Sequence, residues 1–214
     1  QKIPKPSCLK NIPRYYHRYG LSHRLFLEAL NRIDRPEAVL VTSGMTYWYP
    51  GVFEVIRVIK QIWPDMTVIL GGIYATICRD HASTYSGADF VVEGPGEVKI
   101  LPLLEEITGN KPSVIPDPAK LDEFPYPAFD LQRHIDYICL LTSRGCPFNC
   151  QYCASHLLQP EFFRRSPQSL VSEILFWHKK HGVKEFAFYD DALLIEADKH
   201  IIPILEAVIA EGTG

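Results

Sequence analysis

The chain has 214 residues, 47% of them hydrophobic and 22% charged, a globular composition with apolar material for one large core or two small ones. Its 22 basic and 25 acidic side chains leave a formal charge of -3, and a large nucleic-acid footprint calls for a more basic surface, so a nucleic-acid partner is disfavoured. The longest nearly apolar stretch, Ile201 to Ala210, is interrupted by Pro203 and Glu206 and falls far short of the ~20 residues that span a bilayer, so no membrane role is expected.

No charged-then-apolar leader is expected at the start. The six cysteines, Cys8, Cys78, Cys139, Cys146, Cys150 and Cys153, do not look like a secreted disulfide framework. Three of them fall close together, which in a cytosolic chain indicates a metal or redox site. A cytoplasmic protein is expected. A start at Gln1 and an end at Glu211-Gly-Thr-Gly, just past a helix-like segment, suggest a piece of a longer protein.

Residues 1–37 form a basic, aromatic segment centred on Arg14-Tyr-Tyr-His-Arg-Tyr-Gly, which reads as solvated surface with aromatic anchors. It closes in a short helix that Ser22 can cap, with Leu25, Phe26, Ala29 and Leu30 on one face. Residues 38–110 follow as a first α/β domain. Ala38–Ser43 reads as a short buried strand; Pro50-Gly51 opens a helix striped by Val52, Val55, Ile56, Ile59 and Ile62, and Trp63-Pro64 stops it. Thr67–Gly72 is a second buried strand, ended by two glycines. A helical stretch through Cys78 to Tyr85 leads to a third strand over 88–92, and Gly94-Pro-Gly-Glu97 turns into a helix over roughly 97–108.

This alternation predicts an α/β protein with a parallel, doubly wound, Rossmann-like sheet, and continuous apolar runs such as Val68-Ile-Leu predict strands covered on both faces. Residues 111–137, rich in proline between Pro112 and Pro127, read as a linker. In 138–214 the alternation resumes with a strand at Ile138–Ser143 and a loop over 144–165. Ser166-Pro167 opens a helix that Gly182 ends, a strand covers 185–191, and a helix over 198–211 is kinked or begun at Pro203. Two βα units cannot close a (β/α)8 barrel, which takes ~250 residues, so this second domain has the form of an incomplete barrel.

Cys146, Cys150 and Cys153 are spaced C-x3-C-x2-C in the run Thr142-Ser-Arg-Gly-Cys-Pro-Phe-Asn-Cys-Gln-Tyr-Cys153. Gly145 and Pro147 favour a tight loop that gathers the sulfurs, and the loop follows a strand, where α/β folds place their chemistry. Thiolates bind iron–sulfur clusters and zinc alike, and His156 would complete a Cys3His zinc site. On a four-iron cluster, three cysteines leave one iron without a protein ligand, open to a substrate or cosubstrate. Asp190 and Asp191 end the next strand, where they either meet a ligand or cap the strand–helix turn.

The C-x3-C-x2-C run, with Tyr152 just before its last cysteine and a strand just upstream, resembles the radical S-adenosylmethionine (SAM) superfamily. The resemblance implies that Cys146, Cys150 and Cys153 hold a [4Fe–4S] cluster. SAM would chelate the open iron, and one electron, from a donor such as a flavodoxin or ferredoxin, would cleave it to methionine and a 5′-deoxyadenosyl radical. By position, Tyr152 would lie against the adenine side of SAM. Asp190 and Asp191 fall where the family often places polar groups near SAM, while its Gly-Gly-Glu motif is absent.

The first domain resembles the cobalamin-binding-like domain that precedes many radical SAM modules. That signature combines Asp-x-His-x-x-Gly, Ser-x-Leu and Gly-Gly; Ser43-Gly-Met45 and Gly71-Gly72 match the last two, with Met for Leu, and the first is missing. The resemblance implies cobalamin contacts from Ser43, Met45, Thr46, Gly71, Gly72, Glu93 and Gly94, with no protein histidine on cobalt, or else no cobalamin. The run from Leu121 to Asp130 is similar to the segment that joins the two domains in such proteins. The implied function is radical chemistry on an unactivated carbon of a small-molecule substrate, by hydrogen abstraction or cobalamin-assisted methyl transfer, with these 214 residues alone a poor catalyst. Two other classes stay open: a non-catalytic corrinoid- or nucleotide-binding module with a structural zinc site, and a protein–protein adaptor with structural cysteines.

Overall fold

The computed structural model describes residues 2–17 and 19–212; Arg18, within the basic aromatic run, lies outside the described residues. In chain order the elements are α1 (His23–Leu30), β1 (Ala38–Ser43), α2 (Tyr49–Ile62), β2 (Thr67–Gly72), α3 (Ile73–Ile77), α4 (Arg79–Tyr85), β3 (Phe90–Val91) and α5 (Gly96–Thr108). They are followed by β4 (Ile138–Leu140), β5 (Ser143–Arg144), α6 (Ser155–Leu158), β6 (Phe163–Arg164), α7 (Pro167–His181), β7 (Phe186–Phe188) and α8 (Ile201–Ala210). Among the described residues no helix is long and apolar enough to cross a membrane.

The first sheet is parallel, in the order β1-β2-β3, with Ala38 opposite Thr67 and Ser43 opposite Gly72. Parallel neighbours require crossovers, and the helices between these strands supply them. The stripe on α2 packs as its period requires: Val52, Ile56 and Ile59 join Val68 and Leu70 of β2, Tyr74 and Ala75 of α3 and Ala82 of α4 in one core. Asp89 ties the edge of this sheet. Its carboxylate accepts the Val68 N–H at 2.7 Å and the Lys60 ammonium, and these bonds outweigh burial and hold it below the usual carboxylate range.

The second sheet pairs β4 with β7, also parallel, in register from Ile138–Phe186 to Leu140–Phe188. Ile138 and Leu140 are buried against Leu170, Ile174 and Trp177 of α7 and against Ile201 and Ile204 of α8. The ends of α7 follow from its sequence. Ser166 Oγ accepts the Ser169 N–H, Pro167 occupies the first helical position, and Gly182 takes the left-handed conformation at φ 69°. The proline-rich stretch is more than a spacer: Leu121 is buried, and Tyr126 and Phe129 pack against the second core. Asp122 accepts the Ser166 N–H, adding to the N-terminal capping of α7.

Four local expectations change. Leu40 of β1 is 55% exposed while its partner Ile69 is 1% exposed, because β1 is an edge strand and one of its faces is open rather than covered. The helical stretch after Gly72 breaks at Cys78 (φ -119°, ψ 44°), giving α3 and α4. The strand over 138–143 splits after Leu140, and its last residue joins Arg144 in a two-residue antiparallel pairing with β6. A 3-10 turn over Ala197–Lys199 precedes α8, so Pro203 sits in the first turn of that helix, where its missing N–H does no harm.

Candidate functional site

The carboxyl ends of both sheets face one cleft of about 550 Å³. Gly72, Ile73, Pro95, Gly96 and Glu97 line it from the first sheet, and Leu141, Ser143, Arg144, Gly145, Gln159, Tyr189 and Asp191 from the second. In open α/β sheets ligands bind beyond the carboxyl ends of the strands, and here two such ends meet.

On the first side, Gly72 has φ 89°, and a Cβ there would stand 2.5 Å from Thr42 Oγ1 and 2.6 Å from the Ser43 carbonyl oxygen, so only glycine fits. Thr76 Oγ1 donates to the Gly72 carbonyl at 3.0 Å and accepts the Gly94 N–H at 2.9 Å, which locks the two glycine turns together. Nothing in the sequence marked Thr76 beyond its place one turn after Gly72. Ser43 is buried and its hydroxyl donates to the Met45 carbonyl. Of the seven residues expected around cobalamin, Gly72 alone lines the cleft. Met45 is exposed, Thr46 opens a 3-10 turn before α2, and Glu93 faces Arg79 at 3.5 Å. No histidine is among the residues lining the cleft.

On the second side, the two aspartates divide their work. Asp190 Oδ1 accepts from Thr142 N (3.0 Å), Thr142 Oγ1 (2.9 Å), Ser143 N (2.7 Å) and Ser143 Oγ (2.6 Å). This carboxylate takes the N–H groups that a continuing strand would place in its ladder, which is why β4 ends at Leu140 and the chain turns into the cysteine loop. His200, buried, bonds Thr142 Oγ1 through Nε2 at 2.8 Å. A carboxylate only accepts, so the Thr142 hydroxyl proton goes to Asp190 and His200 Nε2 carries the other proton. Burial, and then the nearby Arg164, push His200 below the ordinary histidine range and keep it neutral. Asp191 is exposed and lines the cleft.

The loop after β5 carries Cys146, Cys150 and Cys153, all free and half-buried. The Cys153 N–H donates to the Cys150 carbonyl at 3.0 Å, which closes the C-x2-C turn. Ser155 approaches Cys153 Sγ with its hydroxyl at 3.2 Å and its N–H at 3.4 Å. These bonds, the hydroxyl first, lower the thiol below its ordinary range, while the charge of Asp191 pushes the other way. Cys153 thus lies within electrostatic reach of Asp191, which lines the cleft. Tyr152 is 93% exposed.

The donor set suits an iron–sulfur cluster, in which each thiolate takes its own iron. Zinc accepts thiolates as well, with His156, an exposed side chain, as the fourth candidate donor. Among the described residues no three His, Cys, Asp or Glu side chains are grouped to hold a metal ion. For a corrinoid, the side-chain-free edge at Gly72 and Gly96 gives the close backbone approach that a large planar ligand needs.

The fold and site define an α/β protein that brings a glycine-edged, Rossmann-like sheet to a cysteine loop at the start of a second parallel sheet. Residues 19–102 match the B12 binding domain family. The chain is 26% identical, over 85% of its length, to an uncharacterized methyltransferase of Pyrococcus horikoshii, and 29% identical, over 89%, to a hopanoid C-3 methylase of Methylococcus capsulatus. It is 25% identical, over 73%, to an anaerobic magnesium-protoporphyrin IX monomethyl ester cyclase of Synechocystis. It covers 46%, 41% and 37% of those proteins, so the chain spans less than half of each. The radical S-adenosylmethionine methyltransferase TsrM of Kitasatospora setae shares the fold, with a TM-score of 0.65 at 18% identity, covering 89% of this chain and 43% of TsrM. Residues 19–102 are thus similar to a B12 binding domain, and the chain as a whole has the fold of the TsrM methyltransferase.

Proposed function

We propose that the protein is a B12-dependent radical SAM enzyme whose cofactors meet in the cleft between residues 38–110 and 138–214. The reaction class would be alkylation or rearrangement at an unactivated carbon of a small molecule, with methyl transfer the reading favoured by the methyltransferase and methylase relatives. Cys146, Cys150 and Cys153 would hold a [4Fe–4S] cluster, Asp191 and Tyr189 would face SAM, and Gly72, Gly96 and their neighbours would receive the corrinoid. When bound, these groups would supply one-electron cleavage of SAM and a methyl carrier.

The chain's own residues do the rest. Ser155 lowers the Cys153 thiol and so favours its ligating, deprotonated form. Asp190, through Thr142 and Ser143, fixes the strand end from which the cysteine loop departs. Tyr189 and Leu141 wall the second side of the cleft. The observation that carries this reading is the meeting of the Gly72 and Gly96 edge with Arg144-Gly145, the root of the cysteine loop, in a single cleft.

The test is anaerobic reconstitution with iron and sulfide, followed by titration with hydroxocobalamin and SAM, for the native chain and a Cys146/Cys150/Cys153→Ala variant. Four irons per chain lost in the variant, with cobalamin retained in both, are expected. Zinc in place of iron would favour a binding module with a structural metal, and no cysteine-dependent metal would overturn the proposed chemistry.

A further inference from the structure

An ion pair spans the cleft from wall to wall. Arg144 Nη2 meets Glu97 Oε1 at 2.6 Å, with the two side chains 28% and 37% exposed. The same guanidinium lies over the ring of Phe124, 4.9 Å from its centroid. One side chain thus touches three segments: the first turn of α5, the stretch that joins the two sheets, and the strand that launches the cysteine loop. Arg144 also lines a second cavity, of about 360 Å³, walled by Phe124, Tyr126, Leu141 and Tyr189. Its position divides that aromatic pocket from the cleft.

The backbone transmits this position to the cysteines. Arg144 pairs with Phe163 of β6, and Gly145 follows with φ 79°, packed so close to the Glu161 carbonyl that no side chain fits. Cys146 is the next residue, so a shift of Arg144 becomes a shift of the first thiol. Glu97 stands in the first turn of α5, where the helix N-terminus attracts negative charge. The planar guanidinium satisfies Glu97 and the Phe124 face together, which a lysine ammonium does less well.

We propose that Arg144 is a positioning residue that, through Glu97 and Phe124, sets the distance and orientation between the B12-binding edge and the cysteine loop. Its functional consequence rests on the cofactor reading above; its structural content does not. Glu97→Gln, Arg144→Gln, the double variant and Arg144→Lys, all in the full chain, test it in two arms.

The first arm needs no cofactor and follows tryptic cleavage after Lys120, an exposed site in the joining stretch. Loss of the pair is expected to speed cleavage about fivefold, the change that a partly exposed pair of about 1 kcal/mol gives at 1.4 kcal/mol per tenfold. The double variant should be no faster than Arg144→Gln, and Arg144→Lys should fall between, all with melting temperatures lowered by no more than about 3 °C. The second arm adds hydroxocobalamin, iron and sulfide and, after reduction, reads the broadening of the cob(II)alamin electron paramagnetic resonance signal by the neighbouring cluster. That broadening should weaken in Glu97→Gln while iron and cobalamin contents hold. Unchanged cleavage in both single variants, or additive effects in the double, would overturn the proposal. Absence of iron and cobalamin from the native chain would overturn the cofactor reading instead, leaving the first arm to decide on Arg144.

Discussion

The two adjacent aspartates give the sharpest quantitative test, because they should fail in opposite ways. Replacing Asp190 with alanine strips acceptors from two backbone N–H groups and two hydroxyls on Thr142 and Ser143, residues that are 0% and 4% exposed. The hydroxyls can rotate toward other acceptors, but the N–H groups cannot. At ~1–3 kcal/mol for each buried orphan, the two N–H groups put the loss at about 4 kcal/mol. For a chain of this size that is a fall of about 10 °C in melting temperature, read by circular dichroism. Asp190→Asn should cost about half as much, since its amide oxygen can keep the Oδ1 position while its NH2 opposes the Thr142 N–H now 3.1 Å from Oδ2. Asp191→Ala removes an exposed carboxylate and should leave stability within ~0.5 kcal/mol, while weakening SAM retention after reconstitution. Equal destabilisation by the two alanine variants, or a neutral Asp190→Ala, would refute the division of roles.

Three further outcomes are expected. Gly72→Ala forces a Cβ into Thr42 Oγ1 and the Ser43 carbonyl in a backbone region that side chains rarely enter; a loss of about 4 kcal/mol should show as collapse of the first sheet's thermal transition. A native-like melt would show that the β1–β2 edge yields more readily than its contacts indicate. Ser155→Ala removes the leading cause of the lowered Cys153 thiol and should slow iodoacetamide alkylation of Cys153 near neutral pH, whereas Asp191→Ala should speed it; peptide mass mapping separates Cys153 from the other thiols. The buried, neutral His200 makes stability pH-dependent. Its folded pKa lies below its unfolded value of ~6.5, so stability is full above that pH and falls as the pH drops, because the unfolded chain binds a proton that the folded chain refuses. Urea midpoints should decline from pH 7.5 to 5.5, and His200→Gln should flatten the slope. An unchanged slope in that variant would shift the effect to another group; the lowered carboxylates Asp89 and Asp122 act only in more acid solution.

Local chemistry made much of this protein legible in advance. The ends of α7 follow from Ser166, Pro167 and Gly182, whose conformational preferences act within a few residues. The β2 core follows from the unbroken run Val68-Ile-Leu, and the α2 packing from its apolar period. The cysteine spacing and the glycine pair pointed to two loops, and the structure brings Gly72 and Gly145, the residue before Cys146, to one cleft. The same reasoning did not separate Asp190 from Asp191. They are neighbours with one chemistry, and only the bend of the chain after Leu140 makes one a tether for buried donors and leaves the other facing the cleft.

What required the tertiary structure were contacts between residues distant in sequence. Thr76 to Gly94, His200 to Thr142 and Arg144 to Glu97 span separations that no local pattern encodes. The meeting of the two strand-end edges in one cleft is of the same kind. So is the anchoring of the proline-rich stretch, whose Leu121, Tyr126 and Phe129 look like spacer residues until the second core gives them a surface. Sequence alone determined most of the backbone segments that form helices and strands and which thiols share one loop, because those outcomes depend on dihedral preference and short spacing. The fold decided which polar groups are consumed in holding the site and which remain free to act, because that depends on burial and on partners supplied from elsewhere in the chain.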